Sequence, residues 1–280
     1  MTLHLNSTGG LGNQLFQLAA LIQAADKINV EKHIRYKSSG KTFRTFDSRI
    51  LLESLGISLC SSRCKLIFPR KRYFQQERDF NIFEKIPDGT WMNGYFQDSE
   101  YNLYSRTKII QAISSRFGDC CNSAHERGLK AVAIHVRIGD YALNRINFNF
   151  HGVLSGEYYE KAIKEVEIAS GIDVIYIYSD TPDQARIKIE KAIRRINPLI
   201  RIESGKCKNN NLICELYQLG SYENLIMSNS SFSWWAGILR TRNITVGPTR
   251  WYRENSMQRV NPMIQEWIKV DGLFESEVEL

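Results

Sequence analysis

Five short apolar runs, AVAIHV, DVIYIYSD, LIRIES, NLIMSN and NITVGP, recur through the second half of the sequence with helical stretches between them. Strands buried on both faces need runs of this kind, and helices interposed between strands are the crossovers of a parallel sheet. The alternation predicts an α/β fold with helices on both faces of a parallel sheet. Two of the intervening segments carry start signals of their own. SGEYYEKAIKEVEIAS offers Ser155 as N-cap and puts Tyr159, Ile163 and Val166 on one face. TPDQARIKIEKAIRRIN offers Thr181 as cap and Pro182 at the first helical position.

The first half opens with the same grammar: TLHLNS as a strand, TGGLGN as a glycine turn, QLFQLAALIQAADKI as a helix. Leu11, Leu15, Leu18 and Ile22 form its apolar stripe. From Asn29 to Pro87 the pattern weakens to a helical LLESLGI and an irregular basic region. TWMNGYFQDSEYN then alternates aromatic and polar residues before a helix through Ile109, Ile110, Ile113 and Phe117. The polar stretch GDCCNSAHERG is the best candidate boundary, which predicts domains 1–127 and 128–280. A chain of 280 residues with 43% apolar and 24% charged residues can bury a core in each, although one large α/β domain also fits the length.

A net charge of +7 favours anionic partners: nucleic acid, phosphorylated small molecules or an acidic membrane surface. The densest basic stretch, Arg63 to Tyr73, reads either as a solvated loop or as a weak membrane-surface contact. No nucleic-acid-binding motif accompanies it, so nucleic acid is not expected as a partner. The six cysteines, Cys60, Cys64, Cys120, Cys121, Cys207 and Cys214, show neither paired CxxC spacing nor histidines at zinc-site intervals. Reduced thiols and the lack of any run near 18 apolar residues predict a cytoplasmic protein, at most peripheral to a membrane.

Ligands of open parallel sheets sit beyond the carboxyl ends of the strands. Those ends here read HVRIGD, YSDTP and SNSSFSWW. Arg137, the hydroxyls of Ser230, Ser231 and Ser233, and the N–H groups that open SFSWWAGIL would together hold a phosphate. Each group singly has an ordinary structural explanation. Ser230 or Ser231 can cap a helix, Asp180 can cap TPDQAR, and His135 can be a satisfied core histidine; convergence on one edge is what favours a site. GGLGNQ is neither a P-loop nor a dinucleotide fingerprint. A DxD pair occurs nowhere, so phosphate charge is expected to be met by protein groups, with no metal and no cofactor.

GGLGNQLFQLAA, GYFQDSEYN, HVRIGDY, FHGVLSGEYYEKAI, YIYSDTP and SNSSFSWWAGIL, in this order, resemble the bacterial-type α-1,2-fucosyltransferases of glycosyltransferase family 11. The resemblance spans Gly9 to Trp251. It implies a GT-B fold of two Rossmann-like domains facing across a cleft, GDP-fucose as donor, a galactose-terminated glycan as acceptor, inversion, and no metal. It places Arg137 at the donor diphosphate within an HxR element, with His135 bracing it and Asp140 following. Asp180 falls near the donor, and Ser230, Ser231, Phe232 and Ser233 near the phosphates and base. Gly10, Gly12 and Asn13 match an N-terminal loop facing the cleft. Asn13, Arg137, Asp140 and His151 are the candidates for catalysis, the last two as alternative bases. Trp234 and Trp235 are read as core residues, at least one of them. The chain departs from the family pattern at Ile138, where a second arginine is usual, at Thr181, where a second aspartate is frequent, and at Gly156.

Overall fold

The structure, a computed structural model, describes residues 2–36, 47–60, 72–74, 86–87, 89–97, 99–118, 129–205, 207, 211–239, 244–254 and 261–276. It divides into two compact units, Met1–Arg116 and Phe117–Leu280. The anticipated boundary stretch, 118–128, follows this division, and all of it but Gly118 lies outside the described residues.

Unit 1 is built on a parallel sheet of β1 (Thr2–Ser7), β2 (Glu31–Tyr36), β3 (Ile57–Leu59), β4 (Arg72–Phe74) and β5 (Trp91–Asn93), in the order β3-β2-β1-β5-β4. Leu3 and Leu5 of β1 are fully buried, and α1 (Leu11–Ile28) packs on this strand through the stripe read from the sequence; Leu11, Leu15, Leu18 and Ile22 are all buried. Helix α1 ends at Asn29, whose left-handed φ of 53° lets the next residues turn into β2. Helix α2 (Ser99–Phe117) is tied to α1 by Ser105 Oγ donating to the Ala19 carbonyl, 2.9 Å. LLESLGI is not an α-helix. A 3-10 turn over Asp47–Leu51 gives way to turns that end at Gly56, φ 61°, and β3 begins at Ile57. Strands β2, β3 and β4 were not legible in the sequence. The basic stretch is described only at its end, where Arg72 and Tyr73 start β4.

Unit 2 carries the clean alternation. Its elements run β6 (Ala131–Val136), α3 (Gly139–Leu143), α4 (Arg145–His151), α5 (Gly156–Ser170), β7 (Val174–Ser179), α6 (Pro182–Arg194), β8 (Arg201–Ser204), α7 (Leu212–Ser221), β9 (Asn224–Ile226), α8 (Ser231–Ile238), β10 (Thr245–Pro248) and β11 (Ile268–Val270). Every strand pair is parallel, in the order β11-β10-β9-β6-β7-β8. All six residues of β6 are buried, as a central strand covered on both faces must be. Val132, Ile134, Val136, Tyr159, Ile163, Val166, Ile175 and Ile189 share one core cluster. Burial of each such side chain contributes about 1.5–3 kcal/mol. Ser155 caps α5, accepting from Tyr158 N, and Pro182 opens α6, but Thr181 makes no side-chain cap bond there.

The chain fills one half of this sheet outward from β6 to β8, then returns to the other side of β6 with β9 and proceeds to β11. The sequence order therefore reverses between β6 and β9. A crevice opens beyond the carboxyl ends of two such neighbouring strands, because their following loops leave in opposite directions. The two strand ends at that point are HVRIGD and MSNSSFSWW.

Candidate active site

Strand β6 delivers His135 and Arg137 to the switch point, and the two face different surroundings. His135 is buried. Its Nδ1 lies 2.7 Å from Ser228 Oγ, its ring packs beside Phe232 at 5.5 Å, and Tyr159 Oη donates to its carbonyl, 3.3 Å. Ser228 in turn lies 3.5 Å from Ser233 Oγ, and Ser233 donates to the carbonyls of Ser228 and Ser230 at 3.1 and 3.0 Å. This closed network locks the end of β6 to the start of α8, which gives His135 and Ser233 a bracing position.

Burial first, and the charge of Arg137 second, push His135 down to about 3 from its ordinary 6.5. It is neutral when folded, whereas the unfolded chain takes up a proton near pH 6.5. Between these values the unfolded state binds more protons, so His135 contributes stability that is present above about pH 6.5 and lost as pH falls toward about 3. The melting temperature is expected to fall on acidification through that window. His135→Gln, which keeps a partner for Ser228, is expected to flatten the dependence. A calorimetric slope identical to the parent's would remove His135 as its source.

Arg137 stands in the opposite situation, with its side chain 31% exposed and two carboxylates on its guanidinium. Nη2 donates to Asp140 Oδ1 at 2.7 Å, and Nη1 pairs with Asp180 Oδ2 at 3.1 Å. Burial opposes its charge, but Asp180, Tyr141 and Asp140 outweigh burial and hold its pKa above the ordinary value. Asp180 does more than pair: its Oδ1 accepts from Ile138 N, 3.2 Å, so one carboxylate orients both the cation and the backbone behind it. Capping of α6 is not its role, since Asp180 precedes the cap residue Thr181 and its oxygens are spent on Arg137 and Ile138, just past the end of β6. Ile138 itself is buried in the core cluster.

Helix α8 follows β9 with Ser230 as N-cap, its Oγ accepting from Phe232 N at 3.3 Å. The first-turn N–H groups and the positive end of the helix dipole thus stand at the same strand edge as Arg137. Trp234 and Trp235 both lie in the core, with Trp234 Nε1 donating to the Pro262 carbonyl, 2.6 Å.

His151 ends α4 in an aromatic stack. Its ring lies parallel to Tyr141 at 4.4 Å, with Phe150 and Tyr252 at 4.8 and 5.8 Å. Burial first lowers its pKa to about 4, Asp140 opposing and Arg137 adding to the effect. It is therefore an unprotonated but weak base. Tyr141, pushed up to about 12 chiefly by burial, also lies under the Arg137 guanidinium at 5.5 Å. Arg137, Asp140, Tyr141 and His151 thus form one continuous contact series.

Three organisers escaped the sequence reading. Asn229 is buried, and its Nδ2 donates to the carbonyls of His151, Gly152 and Trp251 at 2.9, 3.3 and 3.2 Å. Its place inside SNSSFSWW marks it in retrospect, because a buried amide must be spent on backbone. Tyr141 is the second and Gly139 the third. A Cβ on Gly139 would lie 2.1 Å from Asp180 Oδ2.

In unit 1 the TGGLGN turn lies at the carboxyl end of β1. Gly10 is the extended N-cap of α1 and Gly12 is buried in its first turn, while Asn13 Oδ1 accepts from Gln97 Nε2 at 2.6 Å. The glycine that this geometry demands is Gly9. It has φ 82°, and a Cβ there would lie 2.9 Å from Asn13 Nδ2. Gln14 Nε2 ties the turn by donating to the Gly9 carbonyl, 2.9 Å.

Residues 1–271 match the family model of glycosyl transferase family 11. Over 94% of its length the chain is 24% identical to the O-antigen biosynthesis glycosyltransferase WbnK of Escherichia coli, covering 98% of that protein. It is 23% identical to an Escherichia coli alpha-1,2-colitosyltransferase, with 94% and 97% covered. Among solved structures, E. coli ADP-heptose LPS heptosyltransferase II is similar at a TM-score of 0.52 and 13% identity, covering 99% of this chain and 92% of that one. The NodZ alpha-1,6-fucosyltransferase soaked with GDP-fucose is similar at 0.50 and 15%, covering 88% and 94%. The two parallel α/β units, the switch-point site and these likenesses agree on a GT-B architecture, and the chain belongs to glycosyl transferase family 11.

Proposed function

We propose that the protein is an inverting, metal-independent fucosyltransferase that moves L-fucose from GDP-fucose to the 2-hydroxyl of a terminal galactose during surface polysaccharide synthesis. The observation that carries this reading is the meeting of Arg137 and the α8 N-terminus at the β6/β9 switch point, a cradle suited to a sugar diphosphate. Its likeness to WbnK supports the polysaccharide setting.

In this reading the acceptor hydroxyl attacks the anomeric carbon as the bond to the diphosphate oxygen breaks, through an oxocarbenium-like transition state. The electron pair leaves on phosphate, where Arg137 and the α8 N–H groups meet the growing charge. Asp140 and His151 are the candidate bases, and the leaving phosphate oxygen is a third destination for the proton. Asp140 already holds Arg137, and His151 with a pKa of about 4 is weak, which favours a modest contribution from either. Asp180, His135, Ser230, Ser231, Phe232 and Ser233 complete the donor side. Gly10 and Gly12 also belong to the donor-binding set, and Asn13 serves the acceptor side, with cytoplasmic action at the membrane surface. No helix among the described residues is long and apolar enough to cross a membrane.

A second reading keeps the chemistry and changes the sugar. The buried Ile138, where the family usually has arginine, and the likeness to a colitosyltransferase both favour testing a colitosyl donor. Purified protein should be incubated with GDP-fucose and with the colitosyl donor, each against a galactoside panel, and the product linkage read by NMR. Product from neither donor overturns the transferase reading. Product from the second alone replaces the first.

Two further results are expected. Transfer should persist in EDTA, and loss of activity restored by manganese or magnesium would contradict metal independence. Asn13→Ala should suppress turnover while GDP affinity stays within a few-fold of the parent. A large loss of GDP affinity with unchanged turnover would move Asn13 to the donor side.

A further inference from the structure

We propose that His4, His33 and Cys60 in unit 1 form a binding site for a zinc-class divalent cation, separate from the sugar-transfer machinery. Their ligand atoms all lie within 4.8 Å of one another. The sheet register produces this. His4 of β1 stands directly across from His33 of β2, and Ser58 of β3 stands across from His33. The two-residue period of a strand then returns Cys60 to the same face, where its N–H donates to the Ile34 carbonyl, 2.8 Å. His4 and Cys60 are 56 positions apart, so no spacing motif could have shown the trio.

One ligand separation already has the length that a tetrahedral site requires. Cys60 Sγ lies 3.6 Å from His4 Nδ1. A zinc ion with Zn–S of about 2.3 Å and Zn–N of about 2.0–2.1 Å holds those two atoms about 3.6 Å apart.

The surrounding groups prepare the same nitrogen on both rings. His4 Nε2 lies 3.1 Å from Thr2 Oγ1, and His33 Nε2 lies 3.4 Å from Glu31 Oε2. In each case the partner is two residues earlier on the same strand, and Thr2 and Glu31 are themselves register partners. With Nε2–H donating outward, each ring keeps its Nδ1 lone pair for the cation, the outer-shell arrangement that fixes tautomer and ring angle at metal sites. His4 is further fixed by stacking on Trp91 at 4.6 Å and 13°. The independent observation is His33 Nδ1, which is buried and has no hydrogen-bond partner. Leaving such an atom unsatisfied is costly, and a cation would satisfy it.

Two imidazoles and a thiol that is not part of a disulfide select zinc and its neighbours over magnesium or calcium. Among the described residues the site offers three protein ligands of the four that tetrahedral zinc takes. Bound metal would tie β1, β2 and β3 together across the sheet and stabilise unit 1 by mass action.

The test uses tag-free, full-length protein freed of metal by dialysis against a chelator. Titration with cobalt should give one equivalent per chain, a thiolate-to-cobalt charge-transfer band and tetrahedral ligand-field absorption, displaced by zinc with a rise in melting temperature. Cys60→Ser should abolish the charge-transfer band, and Cys60→Ser and His33→Ala should each weaken zinc binding about 100-fold or more. GDP affinity and metal-free melting report whether each variant is folded, and either variant alone suffices if the other is not. No uptake by folded parent protein at micromolar zinc, or uptake and absorption unchanged in a folded variant, overturns the proposal.

Discussion

Arg137→Lys is expected to fold normally and to lose turnover by roughly 10²-fold, the cost typical of removing one preorganised donor from developing charge. The guanidinium has five N–H donors in a rigid fork, two of which face Asp140 and Asp180. A fork anchored by two carboxylates on one side can still present its remaining donors to two phosphate oxygens in a fixed plane. Lysine must choose among these partners with one compact charge. Diphosphate charge grows as the glycosidic bond breaks, so the contact strengthens toward the transition state and its loss should appear in kcat more than in GDP affinity. Ile138 sharpens the expectation because the next side chain is buried in the core and offers no second cation. Steady-state kinetics and GDP titration on a variant with parental circular dichroism and melting decide it. Near-parental turnover would take Arg137 out of the mechanism.

The sequence announced unit 2 far better than unit 1, and the reason is physical. Strands β6, β7 and β9 are buried on both faces and so had to be written as apolar runs, visible without any partner. Strand β2, EKHIRY, buries only Ile34 and has no apolar run, so nothing in the sequence set it apart from the weakly patterned stretch around it. Strand β11, IKV, is too short to stand out from its surroundings. The site followed the same division. Arg137, Asp180 and the Ser230–Ser233 segment were legible because they stand at the ends of legible strands. Asn229 and Tyr141 were not, because their work is a set of contacts with residues many positions away, 22 for Asn229 to Trp251 and 88 for Tyr141 to Asn229. The glycines of the motif misled. Gly10 and Gly12 were singled out, whereas a Cβ at Gly10 would meet nothing within 4 Å and one at the neighbouring Gly9 would crowd Asn13.

Gly139→Ala is the sharper test of how the site is assembled, because it adds one methyl group and touches no expected substrate contact. Gly139 opens α3 directly after the HVRI strand end, and a Cβ there would stand 2.1 Å from Asp180 Oδ2 and 2.9 Å from Asp180 Cγ. Real Cβ atoms do not approach so closely, so the carboxylate has to move. It cannot move for free, since Oδ2 holds Arg137 Nη1 and Oδ1 accepts from Ile138 N. Displacing it releases both the cation and the backbone turn that aims it. Misplacing a catalytic group by about 1 Å can cost on the order of 10²-fold, so kcat/KM is expected to fall about 10- to 100-fold. The overpacking should also lower stability by about 1–3 kcal/mol. Asp180→Ala separates the cause from a general loss of fold. With the carboxylate gone the clash goes too, so Gly139→Ala should cost little more in that background, and the two effects should be strongly non-additive in a double-mutant cycle. Additive effects would mean that the methyl group acts elsewhere, and that Asp180 is not what positions Arg137.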